Sequence, residues 1–401
     1  MTSERKWAAA QSIQDELERH GYEAVIVGGA VRDLLLGRDP GDVDVATEAE
    51  PQIVKQIFQK TADVGIEHGT VMVLHPDHPV EVTTYRTESS YSDHRRPDEV
   101  HFVKSLKEDL KRRDFTMNAL AINSDGHVMD YFSGKEDIHH QIIRCVGNPE
   151  ERFSEDALRM LRAVRFAAQL NFDIENETLR AIRKLAQSIT FIAVERIKVE
   201  LDKIFLSKYP EIGMRLLKET SLTLHFPVLN SDRVNENLQH WRHFNALGNS
   251  AYGWAFVNLI SGCKRTEDLV RGYKLSNAEK RTIQAIANAV QIRQQSFWSP
   301  MNYYHFSKET IRAAEFFTSI LNPSIQRMPD EILLEGYRNL PIQSRSEIVV
   351  NGNDLIGWSG QRGGPWVKQW LNRLEESIVL KEVQNDREEI RDWFQREFIN
   401  K

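Results

Sequence analysis

The spacing of hydrophobic and polar residues along the chain changes near residue 150. Before this point, short apolar runs alternate with Gly, Pro, Asn and Asp, a pattern typical of strands joined by turns. Beyond it, apolar residues recur every three or four positions over long stretches, which indicates amphipathic helices. The sequence therefore predicts an α+β fold, with a mixed sheet and helices in the first part and helices alone in the second.

The first part is predicted to contain seven strands and three helices. Helical spacing of apolar residues predicts helices over 1–21, 30–37 and 50–60, and the charges within 1–21 argue against a signal peptide. The predicted strands are YEAVIVG (22–28), DVDVA (42–46), TVMVLH (70–75), VEVTTY (80–85), EVHFV (99–103), LAIN (120–123) and HVMDYF (127–132).

Composition narrows the class of protein. The 401 residues are 41% hydrophobic and 27% charged, which is ordinary globular usage and enough for several cores. Cys145 and Cys263 lie far apart without metal-like spacing, so neither a disulfide framework nor a zinc site is expected. No apolar run is long enough to cross a bilayer, so no membrane association is expected and we expect a cytoplasmic protein.

The net charge of −6 argues against a generic nucleic-acid binder, because such proteins neutralise phosphates with an excess of Lys and Arg. Any RNA-binding surface must therefore be local, and solvated helix surface is the alternative for most basic residues. The candidate patches are Lys104, Lys107, Lys111, Arg112 and Arg113, then Arg159, Arg162 and Arg165, then Arg180, Arg183, Lys184, Arg196 and Lys198.

The segment GGAVRD, residues 28–33, joins a predicted strand to a predicted helix. Gly28 and Gly29 would let backbone N–H groups approach a phosphate at the start of the helix, and Arg32 adds positive charge. The alternative is a tight turn with an ion pair between Arg32 and Asp33. This segment alone does not decide between the two interpretations.

Asp42 and Asp44 lie two residues apart on a predicted strand, so both carboxylates should project from one face while Val43 and Val45 enter the core. Adjacent anions repel each other, and oxygen ligands of this kind suit Mg²⁺ bound together with substrate phosphates. Glu81, on another predicted strand, is a candidate third catalytic carboxylate. The alternative for all three is solvent-exposed acids.

Four motifs in order, GGAVRD, GDVD, RRDFTMNALA (112–121) and EDALRMLRAVRF (155–166), resemble the class II tRNA nucleotidyltransferases of the polymerase β-like superfamily. The resemblance implies template-independent addition of CCA to the 3′ end of tRNA from CTP and ATP, with Mg²⁺ as cofactor. It also implies a head with a five-stranded palm-like sheet (1–150), then a helical neck (151–215), body (216–300) and tail (301–401). Whether the protein is a monomer or a homodimer is left open.

The resemblance also implies site residues. Asp42 and Asp44 would hold the metal, and Gly28, Gly29, Arg32 and Arg113 would bind the triphosphate. A role for Arg113 in phosphate binding is physically sensible, because a guanidinium matches phosphate oxygens. The alternative for Arg113 is a structural ion pair with its neighbour Asp114.

The segment EDALRMLRAVRF is expected to recognise the base. On one continuous helix, Asp156 and Arg159 lie about 60° apart, Arg162 about 60° further on, and Arg165 half a turn away from Asp156. Cytosine and adenine both present an amine beside an acceptor nitrogen, so an Asp and Arg pair would accept them and reject uracil and guanine. Arg162 and Arg165 would support the nucleotide site, although Arg165 also fits a bracing role. The alternative is a surface ion pair between Asp156 and Arg159.

Two further segments resemble the family. The polar stretch TESSYSDHRR (87–96) corresponds to a loop that CCA-adding members have and CC-adding members lack, so it implies the use of ATP; a plain surface hairpin is the alternative. Residues 351–371 resemble the family's tail, with Pro365 at a helix start and Trp366 and Trp370 one turn apart, a spacing more typical of core than of RNA contact.

Other functions remain as alternatives. A CC-adding or A-adding relative or a poly(A) polymerase would share the chemistry, and the length of the product would separate them. A non-catalytic tRNA-binding protein would be expected to lose carboxylates, and none is lost here. A nucleotidyltransferase acting on small molecules would need neither the EDALR segment nor so long a helical remainder.

Overall fold

The structure, a computed structural model, divides into two compact units, Met1–Gly248 and Asn249–Lys401, and each is described by itself. The residues described are 3–88, 100–229, 234, 236–237, 240–242, 244, 248–262 and 265–399.

A seven-stranded mixed sheet forms the centre of the first unit. Its strands are β1 (Ala24–Val27), β2 (Asp44–Thr47), β3 (Thr61–Gly65), β4 (Thr70–Leu74), β5 (Pro79–Thr84), β8 (Leu120–Ile122) and β9 (Val128–Asp130). They lie in the order β3-β4-β5-β2-β1-β8-β9. All neighbours are antiparallel except β2 and β5, which run parallel with Val45 opposite Val82.

Two small sheets accompany the large one, an antiparallel pair and a parallel pair. The antiparallel pair is β6 (Arg86–Glu88) with β7 (Val100–Phe102), and the parallel pair is β10 (Ile142–Ile143) with β11 (Asp173–Ile174).

Each of the seven predicted strands overlaps an observed one, but the strand within 99–103 pairs in the small antiparallel sheet rather than in the large one. The strand β3 was not predicted, because TADVG lies at the sheet edge without alternating buried residues. The five-stranded sheet that the resemblance implied was therefore wrong in its strand number.

The first unit also contains ten described helices. They are α1 (Ser3–Arg19), α2 (Gly29–Leu35), α3 (Pro51–Ile57), α4 (Leu106–Lys111), α5 (Gly134–His139), α6 (Pro149–Glu155), α7 (Leu158–Leu170), α8 (Asn176–Leu185), α9 (Val194–Phe205) and α10 (Pro210–Glu219). Short 3₁₀ segments lie at Ile66–His68, Thr116–Asn118, Ala186–Phe191 and Leu222–His225.

The N-terminal helix packs on the sheet, as its apolar spacing predicted. Ile13 and Leu17 of α1 are fully buried, and the buried Gln14 amide donates to the carbonyls of Ala24 and Ile122 at 2.9 and 3.2 Å. These hydrogen bonds tie α1 to two neighbouring strands of the sheet. Helix α1 thereby supports β1, and both β2, which begins with Asp44, and α2, which follows the GG turn, pack against β1.

The described residues of the second unit form helices and no strand, which confirms the α+β class with a helical C-terminal region. Its helices are α11 (Ser250–Ile260), α12 (Thr266–Tyr273), α13 (Asn277–Gln295), α14 (Pro300–His305), α15 (Lys308–Leu321), α16 (Asp330–Arg338), α17 (Gly352–Ser359), α18 (Pro365–Val379) and α19 (Arg387–Ile399), with a 3₁₀ segment at Arg345–Glu347.

Two helices on either side of residue 300, α13 and α15, pack against each other, and the buried Arg293 of one donates to Glu315 of the other. Residue 300 therefore does not separate two compact units. The finer division into neck, body and tail stays a prediction. None of the described helices is both long and apolar enough to span a bilayer.

The tryptophans of the C-terminal segment belong to a hydrophobic core. Pro365 begins α18, as expected, and Trp370 is 6% exposed. Its ring lies 5.2 Å from the ring of Phe394 and 5.9 Å from that of Trp393. Trp366 packs at the border of the same cluster. The interpretation of these residues as core is confirmed for Trp370.

Candidate active site

Residues from the sheet and from the helices that follow it surround a cavity of about 500 Å³ in the first unit. We name it the arginine cavity, because six arginines and three aspartates line it. This excess of positive charge suits a polyanion such as a nucleoside triphosphate. The lining residues are Gly28, Gly29, Arg32, Asp44, Arg112, Arg113, Asp114, Asn118, Asp156, Leu158, Arg159, Arg162, Phe166 and Arg196.

The GG turn forms one wall of the arginine cavity. Gly28 has a φ of 75°, in the region that favours glycine, and a Cβ there would lie 2.7 Å from Nη1 of Arg113. Nη2 of Arg113 lies 3.3 Å from Oδ2 of Asp109, and its Nε is buried without a hydrogen-bond partner among the described residues. The guanidinium therefore retains hydrogen-bonding capacity for an anion beside the turn. It does not form the ion pair with Asp114 that was the alternative, since Asp114 binds another arginine.

A buried hydrogen-bonded chain runs from the turn to the helices that follow the sheet. Arg32 Nη1 donates to Asn118 at 2.7 Å, Asn118 Nδ2 donates to Asp114 at 3.0 Å, and Arg162 Nε donates to Asp114 at 2.7 Å. Burial alone would raise the pKa of Asp114, but Arg162 and the Asn118 amide outweigh burial and lower it to about 2. Asp114 is therefore a charged link between α2 and α7.

Arg32 is 8% exposed and also forms the predicted ion pair with Asp33, at 2.8 Å. Both interpretations of the GGAVRD segment therefore have support, because Arg32 lines the arginine cavity and is also held by internal partners. Its role toward a triphosphate stays a prediction.

The single helix predicted across EDALRMLRAVRF was wrong, because the chain leaves the helical conformation at Asp156. Helix α6 ends at Glu155, and Asp156 is extended, with φ −137° and ψ 102°. Its Oδ1 accepts from the N–H of Leu158 at 3.0 Å, which satisfies one of the free donors at the start of α7. An aspartate side chain that binds the backbone in this way competes with helix continuation.

Asp156 and Arg159 nevertheless line the same cavity, each held by a further charged residue. Arg196 on α9 donates from Nη2 to Oδ2 of Asp156 at 2.9 Å. Arg159 donates to Glu155 at 2.7 Å and to the carbonyl of Arg112 at 3.1 Å. The orientation of this pair is thus set by neighbours in the fold rather than by a shared helix face.

Arg165 lies outside the lining of the arginine cavity. It is 6% exposed, donates to Glu200 and Gln169, and places its guanidinium carbon 3.9 Å from the centre of the Phe166 ring. The guanidinium carbons of Arg32 and Arg162 lie 5.0 and 5.6 Å from the same ring. These contacts support the bracing role for Arg165, whereas its assignment to the nucleotide site stays a prediction.

A second cavity, of about 340 Å³, shares Asp44 with the first. We name it the carboxylate cavity; it is lined by Asp42, Val43, Asp44, Met72, His78, Pro79 and Glu81. Asp44 begins β2, whereas Asp42 precedes the strand. Both acids are exposed while Val43 and Val45 are 2% and 0% exposed, so the predicted alternation is confirmed even though the strand is shorter.

The carboxylates of this cavity repel one another. The surrounding protein and the neighbouring Glu81 raise the pKa of Asp44 to about 6, against the opposing effect of Arg113. Among the described residues, no group of three or more His, Cys, Asp or Glu side chains is arranged to hold a metal ion by itself. The donors therefore fit a cation held by two carboxylates and by oxygens of a bound phosphate, which is the usual coordination of Mg²⁺.

Comparison with known proteins agrees with these motifs. The chain matches the family described as poly A polymerase head domain over residues 24–144, a probable RNA and SrmB-binding site of polymerase A over 171–233, and a putative tRNA nucleotidyltransferase domain 2 over 246–394. The CCA-adding enzyme of Geobacillus sp. (strain WCH70) is 43% identical over 393 residues, covering 96% of this chain and 95% of that enzyme. The chain belongs to the CCA-adding enzymes.

Two solved structures of CCA-adding enzymes extend this result to the fold. The Bacillus stearothermophilus enzyme in complex with CTP matches with a TM-score of 0.89 and 37% identity, covering 98% of each chain. The Thermotoga maritima enzyme complexed with tRNA_CCA matches with a TM-score of 0.65 at 21% identity, covering 97% of this chain and 94% of that one, which supports the fold alone. As a member of this family the chain is a nucleotidyltransferase.

Several residues that line the arginine cavity, or that bind its lining residues, were not assigned to the site from the sequence. Asn118 lies within the quoted motif RRDFTMNALA, where its polar side chain among apolar neighbours was a usable signal. Arg196 was only one member of a basic patch, and Glu155, which holds Arg159, was part of a motif without a role. No local pattern links Arg196 to Asp156, 40 residues earlier in the chain.

The remaining predictions concern the polar loop, the two cysteines and the basic patches. The segment 89–96 of the predicted loop and Cys263 lie outside the described residues. Cys145 is buried, and burial raises the pKa of its thiol. In the basic patches, Lys184 binds Glu150 and Lys198 binds Asp202, so part of their charge is balanced locally. RNA binding by these patches stays a prediction.

Proposed function

We propose that this chain adds CCA to the 3′ end of tRNA from CTP and ATP, with release of pyrophosphate. The observation that carries the proposal is the position of Asp44, which lines both the arginine cavity and the carboxylate cavity. A triphosphate bound among the arginines would bring its reacting phosphorus next to the carboxylates. Nucleotidyl transfer needs this juxtaposition of phosphate-binding and metal-binding groups.

The phosphates would bind at the GG turn. The backbone N–H of Gly29, at the start of α2, would donate to a phosphate oxygen, whereas the N–H of Gly28 already donates to the carbonyl of Leu120 at 3.0 Å. Gly28 would instead leave room for the guanidinium of Arg113, whose unpaired Nε would add a further donor. Arg32 and Arg162 contribute positive charge, but their carboxylate and amide partners hold them in place. The arginines would stabilise the charge that develops on the leaving pyrophosphate.

Asp42 and Asp44 would hold Mg²⁺, which when bound supplies positive charge at the reacting phosphate. Two adjacent exposed carboxylates whose charges are not balanced within the carboxylate cavity support this assignment. Glu81 adds negative charge beside them and would assist the acceptor hydroxyl as a third carboxylate.

Asp156 and Arg159 would select the base. The carboxylate would accept from the exocyclic amine of cytosine or adenine, and the guanidinium would donate to the adjacent ring nitrogen. Both residues are held by partners outside the base edge, Arg196 and Glu155, so neither needs to reorient fully when a nucleotide binds. In uracil and guanine, the ring N–H would face the donating Arg159 and the carbonyl oxygen would face the accepting Asp156, which disfavours their binding.

The test is extension of a tRNA that lacks its CCA end, with Mg²⁺ and each nucleoside triphosphate alone or combined, resolved at single-nucleotide length. Addition of three nucleotides from CTP and ATP is expected. Arrest after two C residues would make the protein a CC-adding relative, addition of A alone an A-adding one, and long A tails a poly(A) polymerase. No incorporation would favour the non-catalytic tRNA-binding alternative.

The base-selecting pair is tested with Asp156→Asn. Asn keeps an oxygen for the Leu158 N–H but can donate to uracil O4, so the preference for CTP over UTP should fall by about tenfold to a hundredfold. The measurement is kcat/KM for both nucleotides. Asp173→Asn, an exposed acid on β11, is the matched control and should leave the preference unchanged. An unaltered preference in Asp156→Asn would contradict the proposed pair.

A further inference from the structure

We propose that His78, which lines the carboxylate cavity, contacts the 2′-hydroxyl of the acceptor's terminal ribose and so makes the site select a ribonucleotide end. The inference rests on the proposed function and adds the residue that contacts the acceptor. No motif or sequence pattern assigned a role to His78.

The cavity is built by a hairpin beside the carboxylate motif. Met72 on β4 and Glu81 on β5 are cross-strand partners, and β5 runs parallel to β2, which begins with Asp44. His78 lies in the turn that joins β4 to β5, directly before Pro79. The turn therefore places the imidazole in the lining of the same cavity as the two aspartates.

Charge separates the two cavities and assigns a different ligand to each. The lining of the carboxylate cavity, within the described part of the chain, contains three acids and no Arg or Lys, so it does not suit the polyphosphate. In an in-line displacement the attacking hydroxyl approaches opposite the leaving group. With the pyrophosphate toward the arginines, the acceptor hydroxyl must come from the side of the carboxylates. A volume of about 340 Å³ fits one nucleoside rather than a helix of RNA.

His78 has hydrogen-bonding capacity that the protein does not use. The side chain is half-buried, and neither ring nitrogen has a hydrogen-bond or ion-pair partner among the described residues. Nδ1 is shielded from water, so Nε2 is the nitrogen that a ligand in the cavity can reach. A polar ligand beside Nε2 would use a hydrogen-bonding position that the described residues leave open. The 2′-hydroxyl lies on the ribose carbon next to the one that carries the attacking 3′-hydroxyl. It is therefore the polar group of the tRNA end that would lie nearest to an imidazole beside Asp42 and Asp44. The 2′-hydroxyl is also the group that distinguishes RNA from DNA.

The test compares two enzymes on two acceptors. The acceptors are tRNAs lacking CCA that end in a ribonucleotide or in its 2′-deoxy counterpart, and the enzymes are the native protein and His78→Leu. The native enzyme should prefer the ribonucleotide end by about threefold to tenfold in kcat/KM, the worth of one hydrogen bond. His78→Leu should lose a similar factor on the ribonucleotide end and nothing on the deoxy end. Any effect of the deoxy sugar on the nucleophile cancels in this comparison.

Two further variants and a second readout separate contact from structure. His78→Gln keeps a hydrogen-bonding group near the Nε2 position and should restore most of the preference. His127→Leu, in the turn before β9 at the opposite edge of the sheet, is the histidine control and should behave as the native enzyme. The KM for CTP should be the same in all variants, because CTP would bind in the other cavity.

Three results would overturn the inference: an equal loss on both acceptors in His78→Leu, a raised KM for CTP with an unchanged acceptor preference, or a native enzyme indifferent to the 2′-hydroxyl. A native enzyme that extends neither acceptor would instead overturn the proposed function, and this inference with it. Extension to CCA without a preference would leave the proposed function intact and remove only the role of His78.

Discussion

The arginine cavity and the carboxylate cavity share Asp44, yet they differ in how the described residues pair their charged side chains. In the arginine cavity, charged side chains form ion pairs within the protein. Arg162 pairs with Asp114, and Arg196 pairs with Asp156. In the carboxylate cavity three acids lie together, and the pKa of Asp44 rises to about 6 because of the surrounding protein and Glu81. The side chains of the arginine cavity are thus held in place before a ligand arrives, whereas the carboxylate cavity would be completed by the proposed cation.

This difference in charge pairing agrees with the roles proposed for the two cavities, base recognition in one and metal binding in the other. Groups that read a base have to be oriented in advance, because a misplaced donor loses discrimination, and buried partners provide that orientation. Groups that hold a metal must keep their lone pairs free, so they cannot be neutralised by arginines of the fold. Substitutions in the two cavities should therefore have different effects on activity and on stability.

The largest effect is expected from Asp44→Asn in the carboxylate cavity. Loss of one of the two proposed metal-holding carboxylates should reduce kcat by about a thousandfold or more, the scale of lost electrostatic stabilisation in a transition state. The melting temperature without metal should stay equal or rise, because one of three mutually repelling charges is removed. The measurements are single-turnover CTP addition and thermal unfolding.

Asp125→Asn, in an exposed turn, serves as the control for Asp44→Asn and should change neither quantity. A clear fall in the melting temperature of metal-free Asp44→Asn would contradict the interpretation that these carboxylates are left unbalanced for function.

A loss of stability is expected from Asp114→Asn, in the arginine cavity. Because the pKa of Asp114 is lowered to about 2, its stabilising effect is present above the unfolded pKa of about 3.9 and is lost as pH falls through about 2. The variant should be less stable by about 2–3 kcal/mol near pH 7. This difference should shrink below about pH 4, which denaturant unfolding at several pH values would measure. A difference that stays constant to pH 2 would assign the loss to packing rather than to charge.

The smallest effect is expected from Arg196→Met. Arg196 would act on the base only through Asp156, so the KM for CTP should change little while the preference for CTP over UTP falls by about twofold to fivefold. Lys198→Met removes a positive charge from the same helix, where Lys198 binds Asp202, and serves as the charge-matched control. If both variants lower the preference equally, the effect is one of general charge and Arg196 has no positioning role.

Sequence reasoning succeeded where local pattern and chemistry coincide. The alternation around Asp42 and Asp44 places Val43 and Val45 in the core, and the two glycines mark a turn between strand and helix, at which Gly28 has a positive φ. It failed where a side chain binds its own backbone. Asp156 ends one helix and caps the next, and helical periodicity, which continues through this position, carries no sign of the break.

Long-range partners were also beyond the sequence pattern. Arg196 binds Asp156 of the proposed base-reading pair from 40 residues away, and Asn118 binds Arg32 from 86 residues away. Glu155 binds Arg159, the other member of that pair, from the preceding helix. Arg165 was assigned to the nucleotide site together with Arg162, yet it binds Glu200 and Gln169 and does not line the arginine cavity. Periodicity assigns a side chain to a face of a helix, but not the element that the face meets.

The amino-acid sequence by itself determined the α+β class, the order of the four motifs and the residue types that nucleotidyl transfer needs, because each depends on spacing along the chain or on functional-group chemistry. Tertiary structure alone decided which charges are paired, that two cavities meet at Asp44, and that His78 faces the carboxylates with no hydrogen-bond partner among the described residues. Pairing and burial depend on the packing of distant elements, and the free energy of a charge depends on what surrounds it in space.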